Sequence, residues 1–374
     1  MKKAKCQNAA KRIWNNTVDK LIDILAHDGL DLKNFQKDCK VTLRLIDQVE
    51  SWLEGWAIPS IVPIVNSMNI NLKMPEHVSK LNSCLLIAPR GTGKSELLER
   101  ILWRSNPTHF TLLDSKIFES ELVAKGKEYF HNKVLVHPDI LTAFQGLTPK
   151  QRQQLNYLWT GALEGNYSRE RYHLEGISTM VLFGMAKEQY ALFRGELLSA
   201  TFFDRVPAYV HNVDMQMKSS LMKFKDDRDE RNPKIKRPLI VLPLPKDRIE
   251  DKAKVAVSFP HDEEMNAKIR AYALELDMYE VQSASRAQDY IKVFVMCNAL
   301  LNGRRTVSKS DLRLYALVHP LFISSGRNLS VERLVLSTIK ANPDLSDMEL
   351  IEKSGIAKRT FYRYKKILRM KSLI

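Results

Sequence analysis

The sequence predicts an α/β protein: a core built on a parallel sheet, a helical lid after it, and a small all-α helix-turn-helix unit at the end. Three observations predict this. The apolar run Leu85–Ala88 breaks into a glycine-bearing loop and then a helix start at Ser95–Leu98, the order of a parallel βα unit. Further short apolar runs, at Phe110–Leu113, Val134–Val136 and Thr179–Ala186, alternate with stretches of helical spacing. Residues 346–370 read as two helices around the turn Ser354-Gly355-Ile356. On this reading the chain divides into an N-terminal helical cap (1–78), the sheet core (79–260), the lid (261–326) and the helix-turn-helix unit (327–374).

The 374 residues leave room for two or three domains. The 58 Lys and Arg against 43 Asp and Glu give a formal charge of +15, which points to a polyanionic partner, most simply nucleic acid. Cys6, Cys39, Cys84 and Cys297 stand far apart with no C-x-x-C pair and no His ladder, which argues against a zinc site or a disulfide framework. No run approaches the ~18 apolar residues of a membrane span. The expectation is a soluble, cytoplasmic protein without membrane contact, nucleoid-associated in a prokaryotic or viral setting.

In the cap, Ile13, Trp14, Val18, Leu21, Ile22 and Leu25 recur at helical spacing. Leu43, Leu45, Ile46, Val49, Trp52 and Leu53 do so again, and Gly55 and Pro59 are expected to break that pattern before the apolar stretch 61–68. These stripes read as core. The segment Ala88-Pro89-Arg90-Gly91-Thr92-Gly93-Lys94-Ser95-Glu96 then has the spacing of a phosphate cradle, with Ala88 where the pattern carries its first glycine. Gly91 and Gly93 let backbone N–H groups approach phosphate oxygens. Lys94 would reach the β- and γ-phosphates of ATP, the Ser95 hydroxyl would ligate Mg²⁺, and the helix start adds its positive end.

Asp114 closes the next strand but reads as the cap of a helix over 116–124. Asp139, closing Val134-Leu-Val-His-Pro-Asp139, is the better metal partner, on a strand expected to lie beside the loop-bearing strand. Thr148, Pro149 and Gln151 signal a helix start. Residues 218–236 are dense in both charges and read as a mobile surface loop, followed by strand-like pieces at 239–243 and 255–258. The lid helices are marked by Ile269, Tyr272, Ala273 and Leu276, by Ala287, Tyr290, Ile291 and Phe294, and by the opening at Thr306–Leu312. In the last unit Ser346-Asp-Met-Glu349 is a capping box, and Phe361, Tyr364 or Ile367, and Leu368 would face inward. Lys358, Arg359, Thr360, Tyr362, Arg363 and Lys366 form the DNA-binding side, with Arg359, Thr360 and Arg363 expected to look into the major groove. The alternative is a basic bundle packed on the lid or on a protein partner.

Taken together, the Walker A loop, the acid-ending strand, the strand 179–186 and the segment Leu197–Val206 resemble the AAA+ ATPases over roughly residues 60–320. The lid and the C-terminal unit resemble the DNA-handling branches, similar to minichromosome-maintenance helicases and replication initiators. That resemblance implies a ring or filament of identical subunits in which Arg205, with Arg194 in reserve, acts as an arginine finger at a neighbour's ATP site. It implies that Arg286 reaches the γ-phosphate from the lid, and that a loop at Arg169–His173, with Arg171 and Tyr172, meets DNA. Two departures stand out. Asp139 is a single acid where the family has an Asp-Glu pair, so it serves either Mg²⁺ or the attacking water. Met185 stands where a polar γ-phosphate sensor is usual. Lys94, Asp139, Arg205 and Arg286 are therefore the expected catalytic residues of an ATPase acting in DNA replication. An ATP-gated transcription or transposition regulator with little turnover is the alternative.

Overall fold

The computed structural model describes residues 31–74, 82–113, 130–144, 148, 166–169, 172–175, 179–190, 205–213, 217–219, 221–222, 237–326, 335–336, 338–340, 342–343, 345–354 and 356–370. Three cap helices come first, α1 (Leu32–Asp38), α2 (Lys40–Glu50) and α3 (Ala57–Asn66). Asp31 caps α1 by accepting from the Lys33 and Asn34 amides. Pro59 does not break the pattern as expected. It sits in the first turn of α3, where a helix has no use for the missing N–H. Nearly every residue of α3 is buried, so this helix is apolar all round and serves as core.

The sheet has five strands: β1 (Cys84–Ala88), β2 (Phe110–Leu112), β3 (Lys133–His137), β6 (Thr179–Ala186) and β7 (Ala208–Val210). Their order is β2-β3-β6-β1-β7, and every pairing is parallel. Ala88 pairs with Ala186 and His137 with Phe183, so the C-terminal ends of β1, β3 and β6 share one edge. The strand β3 does not lie beside β1 as expected: β6 stands between them, its eight residues all buried. An all-apolar strand can take any interior place in a parallel sheet, so its neighbours are not written in its composition. Nothing in the periodicity marks β7, which is three residues long. A separate antiparallel hairpin pairs β4 (Asn166–Arg169) with β5 (Tyr172–Glu175).

Between β1 and β2 the chain forms α4 (Glu96–Trp103), wound with a wide π pitch, and after β3 comes the short α5 (Ile140–Phe144). The segment expected as the lid holds α6 (Glu263–Met278), α7 (Ala284–Leu301) and α8 (Lys309–Ile323). Ser308 and Asp311 close a reciprocal capping box at the start of α8. The C-terminal unit contributes α9 (Asp347–Ser354) and α10 (Lys358–Met370). The capping box at α9 is present: the Ser346 amide and hydroxyl both donate to Glu349 Oε2, at 2.8 and 2.6 Å.

The segments at 239–243 and 255–258 are not strands. Residues 239–242 alternate as a strand would, with Leu239 and Val241 exposed and Ile240 and Leu242 buried, but a side chain replaces the neighbouring strand. Asn106 Nδ2 donates to Ile240 O at 2.8 Å and the Leu242 amide donates to Asn106 Oδ1 at 3.0 Å. Val255 and Ser258 make only isolated bridges, to Leu72 and Thr306. The expected helices over 13–25 and 116–124, the helix start at Pro149 and most of the charged loop at 218–236 lie outside the described residues. Among the described residues no helix is long and apolar enough to cross a membrane.

Candidate nucleotide site and basic helix

The chain leaves β1 in one direction, past β6 and β3, to reach β2, and leaves β6 in the other, past β1, to reach β7. Oppositely directed connections open a crevice at the carboxyl ends of the two strands, which is where open parallel sheets bind ligands. The loop 89–94 fills that place. Gly91 and Gly93 hold φ of 75° and 104°, the left-handed region that side chains avoid. A Cβ on Gly93 would stand 3.0 Å from Leu53 Cδ2 and 3.4 Å from Trp56 Nε1, so the cap rests directly on the loop. Trp56 Nε1 donates to Thr92 O at 2.6 Å, and Thr92 Oγ1 donates to Pro89 O at 2.8 Å. Arg90 and Ser95 are exposed, while Ala88 is buried in the sheet.

Lys94 spans the sheet edge. Its ammonium donates to the carbonyl of Pro138, just past the end of β3. The path is open because residue 184 is glycine: a Cβ there would overlap the Pro138 carbonyl oxygen and come within 2.9 Å of Lys94 Nζ. Burial lowers the Lys94 pKa, and the nearby Asp139 carboxylate pulls it back up. Asp139 Oδ1 accepts from the Leu141 amide at 3.2 Å, which fixes the carboxylate at the start of α5. Glu96, expected at the nucleotide, is turned toward the cap and α4. Its carboxylate takes Trp52 Nε1 at 3.0 Å, Arg100 Nη1 at 3.3 Å and Arg237 Nε, and the Arg237 guanidinium lies 5.6 Å from the centre of the Trp52 ring.

Met185 is fully buried in β6. Two residues on, Lys187 Nζ donates to Asn212 Oδ1 at 2.8 Å. These residues follow β6 and β7, the strands on either side of β1, so the bond joins the ends of its two neighbours. Sequence reasoning missed this pair because only the strand order brings residues 187 and 212 together. His211 was missed too. Its amide donates to Ile87 O at 2.8 Å, and its ring meets Trp56 edge-on at 4.5 Å. Burial pushes its pKa down to about 4, so the imidazole beside the loop is neutral.

Arg205 and Arg286 stand elsewhere. Arg205 lies two residues before Pro207, whose carbonyl accepts from the Leu85 amide, and so at the amino-terminal start of β7, the sheet edge opposite Lys94. Arg286 is in the first turn of α7, one turn before Tyr290. The Tyr290 carbonyl accepts from Asn82 at 2.8 Å, at the amino-terminal end of β1, about 20 Å of strand from the loop. Arg194 and Arg171 lie outside the described residues, and Arg169, Tyr172 and His173 are described only as backbone in the β4–β5 hairpin.

On α10, Phe361, Tyr364, Ile367 and Leu368 are buried. Lys358, Arg359, Tyr362, Lys366 and Arg369 are exposed, and at about 100° per residue they fall within one arc of roughly 120°. Thr360 and Arg363 do not share this arc as expected. Thr360 lies on the buried side, between Ile367 and Tyr364, and Arg363 is half-buried against the end of α6, where Nη1 donates to Glu280 Oε1 at 3.0 Å. Lys365, at the border of the buried side, is paired with Asp347 of α9. Arg369 belongs to the exposed face although its place in the sequence did not single it out. Compared with known proteins, the sequence matches no family model and no curated protein.

Proposed function

We propose that the chain is an ATP-dependent DNA-binding protein of the AAA+ type, which assembles on DNA through ATP sites shared between subunits and serves replication or DNA remodelling. The observation that carries this reading is Lys94 laid across Gly184 to the end of β3, beside Asp139, at the crevice where the connections from β1 and β6 diverge. In the bound state the triphosphate lies along the N–H groups of the loop, and Lys94 exchanges the Pro138 carbonyl for β- and γ-phosphate oxygens. Ser95 and Asp139 fit Mg²⁺: the hydroxyl is exposed at the head of the helix and Asp139 keeps Oδ2 for a cation. Two protein oxygens suffice for an ion that takes its remaining ligands from phosphate and water. When bound, Mg²⁺ supplies charge neutralisation at the phosphates.

Arg205 stands on the edge away from its own Lys94, so a finger role is open to it only at a neighbour's site, which favours a homo-oligomer. The cationic arc of α10 supports the DNA part of the reading, with Lys358, Arg359, Lys366 and Arg369 on phosphates or base edges and Tyr362 between them. A second reading, an ATP-gated regulator with little turnover, is favoured by the buried Met185 at the sensor position and the single acid Asp139. ATP hydrolysis with and without DNA, beside a Lys94→Ala control, tests both. Turnover raised by DNA and abolished in the control is expected. ATP binding without turnover in the parent protein would leave the regulator.

A further inference from the structure

We propose that Arg363 is a positioning residue: it clasps the end of lid helix α6 and holds the cationic face of α10 in fixed register with the lid, so that lid movement and DNA engagement are coupled. The proposal rests on the ATP and DNA reading above. The guanidinium makes three bonds to one small feature. Nη1 donates to Glu280 Oε1 at 3.0 Å, and Nη2 donates to the carbonyls of Met278 and, at 3.5 Å, Asp277. Those carbonyls are among the last of α6, beyond the reach of its regular i→i+4 bonds and at the negative end of the helix dipole, so a planar cation with forked donors is the group that suits them.

The end of α6 is itself unusual. The Val281 amide donates to Leu276 O at 2.9 Å and the Glu280 amide to Asp277 O at 3.0 Å, the two bonds of a Schellman cap. The cap puts Glu280 at φ 55°, a conformation that normally selects glycine and disfavours glutamate. The carboxylate held in this glycine position receives Arg363. The exposed arc of α10 is left open by this contact, so the clasp orients the DNA-facing side without covering it.

The strained cap supplies a clean test in the full-length chain. Glu280→Gly removes the carboxylate and relieves the backbone, so this variant should melt no lower than the parent. Anisotropy of a labelled duplex is measured with no nucleotide and with a non-hydrolysable ATP analogue, over a range of salt. The parent should bind DNA with an affinity that responds to nucleotide. Glu280→Gly should bind nucleotide-free within about twofold of the parent with the same salt slope, and should lose the response to nucleotide. Arg363→Ala should lose it too, with the slope kept. Weaker binding by Arg363→Ala with a slope lower by about one, together with tighter binding by Glu280→Gly, would make Arg363 a DNA contact and overturn the clasp alone. A parent that binds DNA without responding to nucleotide also overturns the coupling alone. A parent that binds no DNA overturns the functional reading and this inference together.

Discussion

At the scale of single residues, the candidate site depends on an absence. Lys94 reaches Pro138 because Gly184 has no side chain, and β6 would otherwise stand in its way. Gly184→Ala forces either the Pro138 carbonyl or the Lys94 ammonium to move, and a methyl group added to a packed sheet costs about 2 kcal/mol. The expected outcome is a lower melting temperature together with weakened binding of a fluorescent ATP analogue. Loss of stability with nucleotide binding intact would show that the lane over β6 serves packing and not the lysine. His211 illustrates the same point from the other side. Nothing local marks it as part of the site, yet the sheet delivers it to Trp56, which in turn holds Thr92.

At the scale of elements, the strands and helices follow composition until a side chain takes over a backbone role. Residues 239–242 alternate buried and exposed as a strand would, but Asn106 supplies the hydrogen bonds that a neighbouring strand would otherwise make. Asn106→Ala leaves Ile240 O and the Leu242 amide buried without that partner, at a cost of about 2 kcal/mol. Hydrogen exchange at Leu242 should rise well before global unfolding, and unchanged protection there would mean that the segment is held by its apolar side chains instead. Pro59 makes a related point: in the first turn of α3 its missing N–H costs no helical bond, and Pro63 further in is carried within the same buried helix.

At the scale of the whole molecule, the N-terminal helices α1–α3 join α7 and α8 to the loop 89–94. Thr42 Oγ1 donates to Asn298 Oδ1 at 2.6 Å, the Ser308 hydroxyl donates to Asp38 Oδ2 at 2.8 Å, and Arg304 pairs with the buried Asp311 while also donating to Asp38 O at 3.2 Å. From the other end of the cap, Trp52 and Trp56 bond to Glu96 and Thr92. Polar contacts therefore run from the loop through α1–α3 to α7 and α8, and Arg363 ties α10 to the end of α6. The opposite placement of Lys94 and Arg205 gives an assembly-level expectation. Lys94→Ala and Arg205→Ala are each inactive alone, but mixed in equal amounts about a quarter of the interfaces join an intact Lys94 to an intact Arg205 and recover turnover in proportion. Mixtures no more active than their parts would exclude a shared site.

The sequence alone carried the strand at Leu85–Ala88, the spacing of the loop through Ser95, the lid helices and the inward faces of α10, because each depends on neighbours within a few positions along the chain. The capping box at Ser346 was legible for the same reason, while the one at Ser308 emerged only from the structure. Tertiary structure alone decided that β6 separates β1 from β3, that Lys187 meets Asn212, that Glu96 faces Trp52 and that Arg363 turns to Glu280. Apolar strands carry no label for their neighbours, and a charged side chain carries none for the partner that the fold brings to it. Those choices are made by long-range packing, where the crossovers of the chain and the space left by one glycine outweigh any local preference.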